Sequence, residues 1–349
     1  MPGFVDSHTH LLFPLPGAAA ATLDTAVRTL RATTGMRLNV AGRAYLQAMA
    51  RHGTTTLEAK TGCGPDEEAE RKILRVLSEL RDGPLDIVPT FLLRRPLIPM
   101  VPGEVSNEAW KRIRSNFLPN VQERDLVRFA DVLWDDSSAK MWEAQPDWRV
   151  WLDGFFQVAR SLGLGRKVHA ESNAVTTAIC AALQHHAASI DHIEHATPSD
   201  AALLAEGDTV ATLLPCSSLH RGGPYAPART LVDAGVPIAI ATNFNPHHTP
   251  SLSMQTAISL SCRCMGLTAA EAISAATING AHAIRRAGRI GSLVCGKLAD
   301  IVILDVPDYR ELGSALGTNL VHLVMKRGEV IYEQGIVGPR PTDELRQAW

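Results

Sequence analysis

Short apolar runs rich in β-branched residues alternate with amphipathic stretches through most of the chain. Runs of this kind, bounded by glycine, proline and polar residues, are typical of buried strands. They occupy residues 3–6, 54–59, 86–92, 128–134, 166–170, 189–193, 209–214 and 236–242. Strands separated by helices predict a parallel sheet, and eight is the number that closes a (β/α)8 TIM-like barrel. The predicted fold class is therefore α/β.

Between the strands, apolar residues recur at helical spacing. The pattern predicts helices over Asp66 to Leu80 and over Trp148 to Leu162. It also predicts one long helix over Leu267 to Ala287. Thr268 is the expected N-cap of this helix, and Glu271 three residues later completes a capping box.

After Gly291 the pattern changes from helical to strand-like. Three runs predict strands joined by tight turns, at residues 299–304, 320–325 and 329–332. We therefore divide the chain into a barrel, residues 1–289, and a small C-terminal β appendage with a tail, residues 290–349.

Composition narrows the class of protein. Of the 349 residues, 46% are apolar and 20% are charged, which is ordinary for a globular enzyme. The net charge of −2 gives no reason to expect binding to nucleic acid or to an anionic membrane. No apolar run is long enough to span a bilayer, and Met1-Pro2-Gly3 leads into a strand without a secretory signal. The six cysteines have no framework spacing and indicate reduced thiols, so we expect a cytoplasmic protein.

Histidines stand at the predicted C-terminal ends of several strands, where the chemistry of such barrels takes place. His8 and His10 follow the first strand, and their spacing of two residues points both to one face. His169 follows the fifth strand and His192 the sixth. Imidazole nitrogens with oxygen donors suit zinc, and iron and manganese also fit. We predict one divalent metal at this end of the barrel, with zinc as the first choice.

Other strand ends supply charged and polar candidates. Lys60 and Glu171 are candidate catalytic groups, although either could form an ion pair inside the barrel instead. Arg94 and Arg95 follow the third strand and could hold a carboxylate through two parallel hydrogen bonds, or could lie on the surface. The remaining pocket candidates are Cys63 after the second strand and Asn245 and His247 after the eighth.

The chain resembles imidazolonepropionases, which are members of the metal-dependent amidohydrolase superfamily. The resemblance covers nearly the whole chain and rests on motifs at residues 2–10, 53–62, 167–171, 189–192, 241–246 and 296–302. It implies a barrel with a small β-sandwich and a single metal held by His8, His10 and His169. It also implies that His192 lies near the substrate and that metal-activated water opens a cyclic amide.

The chain departs from the family pattern in the segment that precedes the first barrel strand. Family members usually carry an N-terminal β segment before the first barrel strand, whereas Met1 here abuts that strand. The appendage is therefore expected to be half of the usual sandwich. Its exposed edge would need cover, for which a homodimer is one candidate.

The substrate pocket departs from the family pattern as well. The family's tyrosine after the second strand is Cys63 here, and its histidine after the third strand falls in the Arg94-Arg95 region. Ser172 stands where the family has Glu or Gln, and residues 14–17 replace a segment that carries a substrate-binding arginine. We therefore do not carry the family's substrate over to this chain, and we expect a small-molecule substrate that could bear a carboxylate.

Asn243 is the sharpest departure, because the superfamily usually has a metal-binding Asp that accepts the proton of the attacking water. A carboxamide oxygen can bind a metal, but it cannot act as a general base near neutral pH. Three interpretations stay open. A base could be supplied by another residue, with His192, Glu171, His247 and His248 as candidates; the reaction could proceed without water attack; or the residue could be an engineered, inactivating substitution.

The leading hypothesis is a metal-dependent hydrolase acting on a C–N bond of a small cyclic amide or heterocycle. The first alternative is a non-hydrolytic metal-dependent cyclase, lyase or isomerase on the same scaffold. The second is a catalytically inactive binding scaffold. The histidine set argues against this last alternative, because an inactive barrel has no physical need for several imidazoles at its mouth.

Overall fold

The computed structural model describes residues 1–13, 23–62, 66–94, 100–101, 104–105, 111–135, 148–171, 173 and 175–335. The strands, in chain order, are β1 (Phe4–Asp6), β2 (Thr54–Lys60), β3 (Asp86–Leu93), β4 (Met100–Val101), β5 (Glu104–Val105), β6 (Phe129–Leu133), β7 (Gly165–Ala170), β8 (Ser189–His192), β9 (Val210–Leu213), β10 (Ile238–Ile240), β11 (Ile301–Leu304), β12 (Val321–Lys326) and β13 (Glu329–Glu333). The α-helices are α1 (Leu23–Ala32), α2 (Gly35–Arg51), α3 (Glu67–Glu79), α4 (Leu118–Glu123), α5 (Trp148–Ser161), α6 (Val175–Gln184), α7 (Pro198–Leu204), α8 (Pro215–Arg221), α9 (Ala228–Asp233), α10 (Met254–Cys264), α11 (Ala269–Ser274) and α12 (Gly280–Ala283). Short 3₁₀ turns cover Leu80–Asp82 and Tyr309–Gly313, and π turns cover Ile113–Phe117 and Ala275–Asn279.

The predicted barrel is confirmed. Eight parallel strands form one sheet in the order β1-β2-β3-β6-β7-β8-β9-β10. Contacts just beyond the first and last strands bring its two edges together. Thr9 bridges Phe244 in parallel register, and the amide nitrogen of Asn243 donates to the carbonyl oxygen of His8 at 3.1 Å. This closure places the residues that follow β1 beside those that follow β10.

The small β appendage is also present, as a separate antiparallel sheet β11-β12-β13. A tight turn joins β12 to β13 through Arg327 and Gly328, which both have positive φ, as the predicted turn requires. Pro2 makes an antiparallel bridge to Ile301, so the first residues of the chain extend this sheet along β11. The division at residue 289 and the homodimer remain predictions.

The predicted helix over Leu267 to Ala287 is only partly correct. The capping box of Thr268 and Glu271 is present, but the helix is interrupted by the π turn and ends at Ala283. The π turn adds one residue to the helical repeat. It precedes Gly280, where a Cβ atom would lie 2.8 Å from the carbonyl oxygen of Val5 in β1. Packing against the barrel therefore overrides the uniform helical period of this segment.

Candidate active site

Four imidazole rings cluster at the C-terminal end of the barrel strands. The rings of His8 and His169 lie 4.8 Å apart between centroids, and those of His169 and His192 lie 4.7 Å apart. The His10 ring lies 5.3 Å from His8 and 5.6 Å from His169. Ligating atoms of His8, His169 and His192 all lie within 4.8 Å of one another. The strand-end histidines that the sequence singled out are therefore brought together.

His8 is held in the tautomer that a metal ligand needs. Its Nδ1 lies 2.8 Å from Oδ2 of Asp191, so that nitrogen carries the proton and Nε2 presents a lone pair. Burial, and next the positive charge of Lys60, lower the pKa of His8 to about 3. The ring is therefore neutral at neutral pH, which is the form that binds a cation.

Three buried atoms in this cluster that could ligate a metal have no hydrogen-bond partner among the described residues. They are Nε2 of His8, Nδ1 of His169 and Oδ1 of Asn243. A buried polar atom without a partner is costly, and imidazole nitrogens with a carboxamide oxygen are donors that a divalent metal accepts. The residues present therefore fit the metal that the resemblance implies.

A layer of paired charges lies inside the barrel beneath the histidines. This charged layer consists of Glu58, Lys60, Asp131, Lys167 and Asp191, whose side chains have no exposed surface. The Lys60 ammonium lies 2.6 Å from Asp131 and 2.8 Å from Asp191, and Lys167 lies 2.5 Å from Glu58. Burial raises the pKa of Asp131 to about 6, and Lys60 opposes that rise. Lys60 thus forms the internal ion pair that the sequence left open, and through Asp191 it supports His8.

His192 belongs to a second group of contacts at the rim. Its Nδ1 lies 3.0 Å from Oε1 of Glu194, and Arg221 donates to the same Glu194 oxygen at 2.9 Å. Arg221 also donates to Glu171 at 2.6 Å, so Glu171 faces this arginine at the cavity. Burial lowers the pKa of His192, but the Glu194 carboxylate more than offsets this effect and the net shift is upward. The arrangement leaves His192 able to hold and release a proton.

Two of these residues have an unusual backbone conformation. His192 has a φ of 78° and Asn243 a φ of 52°, both in the left-handed region that residues other than glycine rarely adopt. Such strain collects at functional sites because it aims side chains in directions that a regular strand cannot. These two residues with positive φ lie at the end of β8 and just beyond the end of β10, where both line the cavity.

A cavity of about 410 Å³ opens above the histidines. Its lining among the described residues is His10, Phe13, Leu92, Arg94, Leu133, His169, Glu171, His192, Ser217, His220, Arg221, Asn243, Asn245, His248 and Thr249. Arg94 and Asn245 therefore occupy the predicted pocket. His248 lines it, whereas the predicted His247 does not. Cys63 and Arg95 lie outside the described residues.

The sequence reasoning missed Arg221 and the roles of Asp191 and Glu194. Arg221 ends α8 and lies eight residues beyond β9, so no strand-end rule points to it. Asp191 could have been found, because Ser189 and Asp191 are two residues apart on β8 and therefore share one face. The Ser189 hydroxyl donates to Asp191 at 2.5 Å.

Comparisons with known proteins agree with this geometry. A family model described as "Amidohydrolase family" matches residues 1–331. The imidazolonepropionase of Symbiobacterium thermophilum is 36% identical over 97% of this chain and 83% of its own length. That of Porphyromonas gingivalis W83 is 34% identical over 95% of this chain and 81% of its own length.

Solved structures show the same fold at low sequence identity. An adenosine deaminase from Xanthomonas campestris with bound zinc has a TM-score of 0.72 and 17% identity, covering 100% of this chain and 84% of its own. The guanine deaminase of E. coli has a TM-score of 0.70 and 15% identity, covering 97% of this chain and 83% of its own.

The chain therefore belongs to the amidohydrolase family of metal-dependent hydrolases, which act on C–N bonds. Within that family it is an imidazolonepropionase-like member. In the part of the chain that the structure describes, no helix is both long and apolar enough to cross a membrane.

Proposed function

We propose that this enzyme hydrolyses a C–N bond in a small cyclic amide that carries an anionic group, with zinc as its metal. The observation that carries the proposal is that metal-ligating atoms of His8, His169 and Asn243 have no hydrogen-bond partner among the described residues, and that His169 and Asn243 line one cavity beside His8. The relatives named above are imidazolonepropionases, and a solved neighbour of the same fold contains zinc.

His8 and His169 would hold the metal, with Asn243 contributing its carboxamide oxygen and His10 beside them. When bound, zinc lowers the pKa of a water molecule toward ~7 and polarises a carbonyl group. The charged layer favours the cation, because three carboxylates face two ammonium groups directly beneath it. His8 is oriented by Asp191, which is itself in that layer.

His192 would transfer the protons of the reaction. Asn243 cannot accept a proton near neutral pH, so the base must come from elsewhere. The His192 ring is buried in the cluster, and Glu194 bonds its Nδ1 and stabilises the imidazolium. His192 would take a proton from the attacking water and deliver it to the departing ring nitrogen. Arg221 would position this pair by fixing the Glu194 carboxylate.

Arg94 would bind the anionic group of the substrate. Among the described residues, Arg94 and Arg221 are the arginines that line the cavity, but the Arg221 guanidinium is already paired with Glu171 and Glu194. Arg94 is half-buried, and within the described ranges no group accepts a hydrogen bond from it. A planar guanidinium binds a carboxylate through two parallel hydrogen bonds. This assignment favours a substrate whose carboxylate lies at some distance from the scissile bond.

The test is hydrolysis by the zinc-loaded protein in water enriched in ¹⁸O. Substrates to compare are imidazolone propionate, hydantoin propionate and the same rings without the propionate. We expect turnover of a propionate-bearing ring with one ¹⁸O atom in the new carboxylate. Ring opening without solvent oxygen would exclude hydrolysis, and equal turnover of the rings without propionate would exclude the anion-binding role of Arg94.

Asn243 gives specific support to a second candidate, a non-hydrolytic cyclase, lyase or isomerase. A neutral oxygen ligand leaves no carboxylate beside the metal to deprotonate water. Product formed without solvent oxygen would favour this candidate. An inactive binding scaffold would instead be indicated by protein that neither retains zinc nor binds it when zinc is added.

A further inference from the structure

A second cavity, of about 180 Å³, lies at the opposite end of the barrel and is lined by arginines. We call it the arginine pocket, defined by Arg81, Arg128, Arg286, Arg289 and Arg327. These residues come from distant parts of the chain: the turn after α3, the start of β6, the segment after α12 and the turn between β12 and β13. The pocket is therefore formed where the barrel meets the small sheet.

The walls of the arginine pocket are partly apolar. Ile87 at the start of β3, Ile290 and Leu298 line it, and Ile87 and Ile290 are buried. Thr56 of β2 also contributes to the lining and is buried. A concave wall of low polarity strengthens the electrostatic field of the charges that surround it.

Two carboxylates belong to the arginine pocket, Asp86 in its lining and Asp125 beside it, and they neutralise only some of its arginines. Asp125 accepts hydrogen bonds from Arg81, at 3.1 Å, and from Arg128. Asp86 pairs with Arg327 and also lies 2.9 Å from Lys326. Each of these two carboxylates is thus already shared between two cations.

Arg286 and Arg289 have no such partner: within the described ranges, no group accepts a hydrogen bond from either guanidinium. Backbone hydrogen bonds hold the segment that carries them: the amide of Arg286 donates to Ala281 at 2.7 Å, and that of Arg289 donates to Arg286 at 2.8 Å. Burial, together with the charges of Arg128, Arg289 and Arg327, lowers the pKa of Arg286 against the opposing effect of Asp86. Asp86 therefore offsets only part of the positive charge that surrounds Arg286.

We propose that the arginine pocket binds a compact oxyanion of the phosphate class, a phosphate or a diphosphate, at a site separate from the catalytic cavity. Guanidinium groups match phosphate oxygens with paired hydrogen bonds, and five guanidinium groups facing two carboxylates leave a surplus of positive charge that a multiply charged anion offsets. The volume of about 180 Å³ suits such an anion. Because the arginines come from both the barrel and the small sheet, the bound anion would link the two.

The test is calorimetric titration of the zinc-loaded protein with inorganic phosphate and with pyrophosphate, at constant ionic strength set by sodium chloride. We expect binding of at least one of these anions, and a melting temperature that rises with its concentration. Zinc content is measured after each titration, because pyrophosphate also chelates metals. Comparison of the two probes distinguishes a one-phosphate from a two-phosphate ligand.

Variants locate the binding site. Arg286→Gln and Arg289→Gln should each weaken anion binding about tenfold or more. Without anion, both variants should melt at or above the wild-type temperature, because each removes a repulsive charge. Arg75→Gln removes the same charge from an exposed position on α3 and should bind the anion normally.

Arg94→Gln tests for binding at the catalytic cavity instead. The proposal is overturned if neither anion binds, if Arg94→Gln abolishes the binding that Arg286→Gln and Arg289→Gln retain, or if Arg75→Gln weakens it equally. Equal loss in all arginine variants would indicate attraction to general positive charge and not to a site.

Discussion

The charged layer lies beneath the histidine cluster in the same barrel, and the buried polar atoms of the two groups differ in how they are paired. Below, every ammonium and carboxylate has an oppositely charged partner, as with Lys60 between Asp131 and Asp191. Above, Nε2 of His8 and Oδ1 of Asn243 are buried without a partner in the described structure. His8 joins the two levels, because its other nitrogen bonds Asp191. Within the charged layer, Oδ1 of Asp131 alone lacks a partner among the described residues, whereas the unpartnered atoms of the histidine cluster converge beside one cavity, where a ligand can reach them.

The first test removes two histidines of the cluster. We expect the wild type to hold close to one metal per chain. The double variant His8→Ala, His10→Ala should lose this metal and show no measurable hydrolysis. Its melting temperature should match that of metal-free wild type within a few degrees, since the barrel core lies elsewhere. Elemental analysis and thermal unfolding check both points, with the exposed His282→Ala as control. Full retention of metal in the double variant would contradict the site.

A substitution in the charged layer should lower the stability of the fold. Lys60→Met leaves Asp131 and Asp191 short of a cation and should reduce the free energy of unfolding by roughly 3–5 kcal/mol. Urea denaturation of metal-free protein measures this change. The matched control is Arg229→Gln, which breaks a solvent-accessible pair with Glu271 and should cost much less. Similar losses in both variants would remove the distinction between the layer and the surface.

Asn243→Asp would place a carboxylate base beside the histidine cluster. If the reaction is hydrolysis, turnover should rise by as much as roughly 10²-fold, the lower end of the effect of one positioned base. The control is Asn245→Asp, two residues further along the same rim, whose side-chain oxygen already accepts from the amides of His247 and His248. A fall in native activity, together with a product free of solvent oxygen, would support the non-hydrolytic candidate.

The smallest expected effect concerns the cavity wall. Arg94→Lys should raise KM about tenfold for a carboxylate-bearing substrate with little change in kcat, since an ammonium cannot copy the two parallel hydrogen bonds. The same ring without its carboxylate serves as the internal control and should show no difference between the two proteins. Unchanged kinetics with the carboxylate substrate would place its anionic group elsewhere.

The strands could be predicted from sequence because each is a short apolar run whose burial is decided locally. The observed β3 (Asp86–Leu93) and β7 (Gly165–Ala170) lie within one residue of their predicted bounds at each end. The strand-end rule then gathered His8, His10, His169 and His192 without knowledge of their distances. These features need only the period of the chain and the direction of parallel strands.

The features that could not be predicted from the sequence depend on contacts between distant segments of the chain. The π turn before Gly280 follows from the close approach of β1, which no local pattern records. Arg221 reaches Glu171 across 50 residues and Glu194 across 27 residues. Lys60 could be either a catalytic group or an internal ion pair until Asp131 and Asp191 were placed on both sides of it.

The left-handed backbone at Asn243 also governs which residues the position can accept. Asn and Asp tolerate this conformation far better than β-branched or bulky residues do. The two side chains have almost the same shape, so an exchange between them alters charge while the rim keeps its geometry. An exchange of Asn for Asp at residue 243 would therefore change the charge at this rim without requiring a new backbone conformation.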